Sequence, residues 1–127
     1  MRSLMKFLTI ILLSFCLTLL ACQHKKTNIF TEEQTAVSVN KGDDFIIKLI
    51  ADHRHGYEWM EISPIDTYYL QLRWIDHKKE GKNKEIHYEY WHFTAKEKGE
   101  SIISLKHCKH LERNSVTDSL SFHLMIR

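Results

Sequence analysis

The sequence predicts an all-β fold: a sandwich of about seven short antiparallel strands. From Thr35 onward, apolar and polar residues alternate with period two, and no stretch carries an apolar stripe at helical spacing. Turn-forming residues interrupt this alternation every 8–14 residues, the rhythm of a β-sandwich.

The expected strands, in order, are Ala36 to Val39, Phe45 to Ile50, Tyr57 to Ile62, Tyr68 to Ile75, Ile86 to Ala95, Ser101 to His107 and Leu120 to Ile126. Lys41-Gly42-Asp43 separates the first two, and Pro64 lies after the third, where its missing N–H costs no ladder bond. Gly81-Lys82-Asn83, Lys98-Gly99 and Arg113-Asn114-Ser115 make the later breaks. In the fifth strand Trp91, Phe93 and Ala95 oppose Tyr90, His92 and Thr94. In the seventh, Leu120, Phe122, Leu124 and Ile126 alternate with Ser121, His123 and Met125, which gives one face to a core. Trp59 is expected to bury its indole between the sheets, with Tyr57, Trp91 and Phe93 as further structural aromatics.

The chain has 127 residues, enough for one domain, and its 43% apolar and 11% aromatic content is that of a globular protein rather than a disordered one. Arg2 and Lys6 account for the whole net charge of +2, because the remaining 16 Lys/Arg balance 16 Asp/Glu. A neutral, sign-mixed domain has no footprint for nucleic acid.

Met1 to Lys6 is a basic start, and Phe7 to Leu20 is an apolar run of 14 residues, shorter than the roughly 20 that a membrane span needs. This is the shape of a secretory signal. It closes on Leu19-Leu20-Ala21-Cys22, which resembles a bacterial lipobox. Residues 1–21 are therefore expected to be a lipoprotein signal peptide, with Cys22 lipidated and the chain exported and held at a membrane on the periplasmic face or cell surface. The alternative is a plain signal peptide or an uncleaved anchor, with Cys22 incidental. Residues 22–34 are polar and aperiodic, which reads as a tether, and residues 35–127 form the domain. With Cys16 removed and Cys22 acylated, Cys108 is the one remaining thiol, so no intramolecular disulfide is expected.

Four segments, in order and spacing, resemble the chagasin-like inhibitors of papain-family cysteine peptidases: Lys41-Gly42-Asp43-Asp44-Phe45-Ile46-Ile47-Lys48-Leu49, Gly56-Tyr57-Glu58-Trp59, Trp91-His92-Phe93-Thr94-Ala95 with Gly99, and Ile103-Ser104-Leu105-Lys106-His107. The resemblance implies an immunoglobulin-like sandwich, and a monomer that occludes a peptidase cleft with three loops at one end, needing no cofactor and doing no chemistry. The residues it places in those loops are Asp52, His53, Arg54, His55 and Gly56 in the first, Lys84 and Glu85 in the second, and Lys109, His110 and Leu111 in the third. Where the family reads Asn-Pro-Thr-Thr-Gly, this chain keeps only Gly56, and Lys109-His110-Leu111 stands where the family has Arg-Pro-Trp. A second reading keeps the fold and turns the loops to another protein partner or to a metal ion. His53, His55, Cys108 and His110 are the candidate ligands, since imidazole and thiolate suit zinc or copper. Cys108 beside His107 or His110 does not make a nucleophile and base, because such pairs meet across a fold with a third group orienting the base.

Overall fold

The computed structural model describes residues 1–19, 26–112 and 114–127. A helix, α1 (Arg2–Leu19), precedes eight strands: β1 (Asn28–Thr31), β2 (Ala36–Val39), β3 (Asp44–Ile50), β4 (Tyr57–Glu61), β5 (Leu70–Glu80), β6 (Ile86–Ala95), β7 (Gly99–Lys109) and β8 (Asp118–Ile126). Among the described residues no helix is long and apolar enough to cross a membrane. Cys22 lies outside the described residues.

Two four-stranded sheets, ordered β1-β3-β6-β5 and β2-β8-β7-β4, pack face to face. Alternation explains the core. Phe45, Ile47 and Leu49 of β3 point inward opposite Phe93, Trp91 and Glu89 of β6, and Ile103 and Leu105 of β7 join Phe122, Leu124 and Ile126 of β8 from the other sheet. Phe45 and Phe93 stack at 5.3 Å between ring centres. Trp59 is 4% exposed, as the sequence leads one to expect, and its indole N–H donates to the Ile50 carbonyl at 2.8 Å.

Four expectations need correction. The tether expected over residues 22–34 ends early, because Asn28–Thr31 forms a strand. Phe30 supplies the reason: it packs on the core edge-to-face against Phe45. The sheets are also not wholly antiparallel, since β1 runs parallel to β3 and β2 parallel to β8. The fourth expected strand begins later and runs further, to Glu80. Tyr68 and Tyr69 fall in the turn before it, and Lys78 lies over the Tyr90 ring from within the strand. Finally, β7 extends through His107, Cys108 and Lys109, all expected to lie at or beyond its end.

β5 also departs from regular alternation. Its register against β6 shifts between Leu72 and Trp74. A one-residue shift exchanges the faces of every later residue. Leu70 and Leu72 face the core before the shift, and Ile75 and His77 pair with Trp91 and Glu89 after it. Trp74 is turned outward, stacked on His92 at 4.3 Å.

Candidate functional site

Strand direction brings three connections to one end. β3 and β5 finish there and β6 begins there in one sheet, while β7 finishes and β4 and β8 begin there in the other. The loops 51–56, 81–85 and 110–117 therefore crown the same end of the sandwich.

The first loop is a tight turn rather than an open finger. Asp52 leads into a 3-10 turn over His53–His55, and Gly56 ends it at φ +80°, a conformation that favours glycine. Tyr57 donates its N–H back to the Asp52 carbonyl at 3.0 Å. The His55 ring lies 2.8 Å from the Asp52 carboxylate, and that contact holds the Asp52 carboxyl below the ordinary range. Asp52 also donates its backbone N–H to His107 Nε2 at 3.1 Å. Arg54 and His55 are left exposed, while His53 turns inward with a side chain 20% exposed.

Beneath this turn, His107 lies between Tyr57 and Trp59, each ring centre 5.2 Å away. Its Nε2 accepts the Asp52 N–H, so Nδ1 carries the proton and faces Thr117 Oγ1 at 2.7 Å. Burial holds this imidazole below its ordinary pKa, against the pull of Asp52 and Asp118.

The second loop joins the long β5–β6 hairpin. Gly81 at φ +95° and Lys84 at φ +53° both take left-handed backbone, and Lys84 donates its N–H to the Gly81 carbonyl at 3.2 Å. Residues 81–85, with Lys84 and Glu85 among them, are exposed.

The third loop is knotted by Ser115, whose hydroxyl donates to the Glu112 carbonyl and accepts the Lys109 N–H at 2.9 Å. Leu111 stands 91% exposed in the turn that the Glu112 N–H closes onto the Lys109 carbonyl. His110 Nδ1 meets the Glu58 carboxylate. Lys109, expected in the loop, instead pairs with Tyr57 across the β4–β7 ladder and holds its ammonium over the Tyr57 ring.

The four candidate metal ligands do not assemble. His55 is engaged by Asp52 and His110 by Glu58, while Cys108 is fully buried with Sγ 3.5 Å from Met60 Sδ. A group that residue-type reasoning passed over lies just under the first loop. Glu89 is 2% exposed and accepts the Trp59 backbone N–H on Oε2 at 2.9 Å. His53 Nε2 and His77 Nε2 each approach this carboxylate to 3.8 Å, and the two rings lie 4.6 Å apart. Burial pushes the Glu89 carboxyl up to about 7, against the Trp59 N–H that favours the charged form, with Glu58 adding to the rise. Burial likewise lowers the pKa of His53, helped by neighbouring His77 and His87. The signal for Glu89 was present in the strand parity, since it is two residues before Trp91 and four before Phe93.

No family model matches the sequence, and no curated protein sequence matches it. Solved structures do. The cysteine protease inhibitor EhICP2 from Entamoeba histolytica superposes with a TM-score of 0.70 at 20% identity, over 83% of this chain and 99% of that one. Amebosin gives 0.58 at 18% identity, over 81% and 98%, and PbICP-C, solved in complex with falcipain-2, gives 0.52 at 12% identity, over 80% and 92%. The fold is the chagasin-like, immunoglobulin-like β-sandwich.

Proposed function

We propose that the chain is an exported, lipid-anchored protein that reversibly inhibits papain-like cysteine peptidases by inserting its three loops into the active-site cleft. The observation that carries this reading is the convergence of loops 51–56, 81–85 and 110–117 at one end of a chagasin-like fold, with Leu111 exposed in the Lys109–Glu112 turn of the third. The solved complex of PbICP-C with falcipain-2 supports a partner of this class.

Inhibition of this kind is occlusion. Leu111 supplies an apolar anchor, Arg54 and His55 a polar contact, and Lys84 with Glu85 a charged flank. The hydrogen bonds that close the first and third loops lower the entropy lost on binding, because the backbone is ordered beforehand. The basic start, the short apolar run and Leu19-Leu20-Ala21-Cys22 support attachment through a lipid on Cys22.

Titrating papain with the folded full chain in detergent tests the inhibitory claim. Reversible loss of activity saturating at one chain per enzyme is expected. Full activity in the presence of excess folded chain would replace this reading with a module of the same fold whose loops serve another partner.

A further inference from the structure

We propose that His53, His77 and Glu89 form a zinc site at the base of the first loop, a site that goes beyond the inhibitor reading and does not depend on it. Their ligand atoms all lie within 4.8 Å of one another, and both Nε2-to-carboxylate distances are 3.8 Å. Zinc binds imidazole nitrogen and carboxylate oxygen at about 2.0–2.2 Å, so tetrahedral ligands sit about 3.3–3.5 Å apart. The two 3.8 Å approaches run to different oxygens, His53 to Oε2 and His77 to Oε1, so gathering one atom from each residue onto an ion closes separations of up to 4.8 Å by about 1.4 Å, which rotation of the half-exposed His77 side chain supplies.

Three separate elements supply the ligands: the turn over His53–His55, β5 and β6. Their meeting depends on the shift between Leu72 and Trp74, since regular alternation from Leu72 would point His77 away from the core. After the shift His77 pairs directly with Glu89.

The unliganded arrangement carries polar costs that an ion relieves. His53 Nε2 is buried without a hydrogen-bond partner, and an unpaired buried polar atom is unfavourable. The Glu89 carboxylate has the Trp59 N–H as its close donor, with both imidazoles beyond hydrogen-bond distance. A divalent ion gives the nitrogen a bond and the carboxylate a counter-charge.

Access exists as well. His77 has a side chain 53% exposed, and with Glu89 it lines a groove of about 490 Å³ that also touches Glu58, Trp59 and Trp91. The groove gives an entry path and room for a water in the fourth position, the arrangement usual when three protein ligands hold zinc. Two imidazoles and one carboxylate favour zinc over magnesium or calcium, which prefer oxygen ligands throughout.

Zinc titration of the full chain, stripped with a chelator and measured against a competing colorimetric chelator, tests the site. One zinc per chain is expected, with a Kd below about 10 μM and a rise in melting temperature on loading. His77→Asn changes a half-exposed side chain. Glu89→Gln keeps an acceptor for the Trp59 N–H, so both variants should fold. Each should weaken zinc binding at least tenfold, whereas His55→Asn should leave it unchanged. A folded wild type that holds no zinc below about 10 μM, or His77→Asn and Glu89→Gln variants that bind like wild type, would overturn the site whatever the papain titration shows.

Discussion

The Glu89 carboxylate accepts the backbone N–H of Trp59 at 2.9 Å, joining the inner face of one sheet to the edge strand of the other. Trp59 answers with its indole N–H on the Ile50 carbonyl at 2.8 Å. These two bonds fasten β4 where the first loop enters it.

Trp59→Ala should therefore be among the most damaging single changes in the chain. It leaves a large cavity and an unpaired Ile50 carbonyl, at a cost of about 3–5 kcal/mol out of the 5–15 kcal/mol typical of a domain. Chemical denaturation measures this directly. A midpoint within experimental error of wild type would contradict the placement of the indole.

His107 makes stability fall in mild acid. Its Nε2 must stay unprotonated to accept the Asp52 N–H, and burial lowers its pKa in the fold. As pH drops below about 6.5, the unfolded chain binds a proton that the folded chain refuses, so stability present above that pH is lost below it. His107→Gln keeps an acceptor but cannot titrate. Its stability should fall less steeply than that of wild type between pH 7 and pH 5, and identical slopes in denaturant titrations would show that His107 is not responsible.

Leu111 separates binding from folding. Being 91% exposed, it contributes little to stability, so Leu111→Asp should unfold at the wild-type temperature. Placing a charge at this exposed apolar position should weaken papain inhibition at least tenfold, about 1.4 kcal/mol, whereas Leu111→Trp should strengthen it. Inhibition constants unchanged in both variants would move the contact away from the third loop.

If Cys22 is lipidated as proposed, Cys22→Ala should abolish lipid attachment, because the thioether to the lipid would be built on the cysteine sulfur. Intact-mass analysis of the wild type should show loss of residues 1–21 and a mass added at Cys22. Retention of those residues, or an unmodified thiol, would end the anchor proposal.

The sandwich was legible because its inward strands alternate cleanly, as at Phe45, Ile47 and Leu49 or Phe122, Leu124 and Ile126. β1 was hidden, since four residues carrying one core aromatic, Phe30, do not establish a period. The site under the first loop was hidden for two different reasons. Glu89 sits in an inward position but carries a charge, and charged residues are seldom buried unless paired. His77 reaches the core face only through the shift after Leu72, which no local residue pattern announces. The gathering of the loops at one end came from the family resemblance, and the strand directions bring loops 51–56 and 81–85 to the end where β7 finishes and β8 begins. What the sequence did not reveal is that His53 turns inward and Lys109 belongs to a strand.

The parallel pairing of β1 with β3 sets how the molecule bears force. β1 enters at the end of the sandwich away from the loops, and β3 leaves at the loop end. With the chain anchored before Asn28 and gripped at its loops, as proposed above, a pull between the two would drag these neighbouring strands in opposite directions along their length. The hydrogen bonds between them then share the load in shear rather than opening one at a time. A short edge strand, weak against peeling, becomes in this geometry a firm attachment.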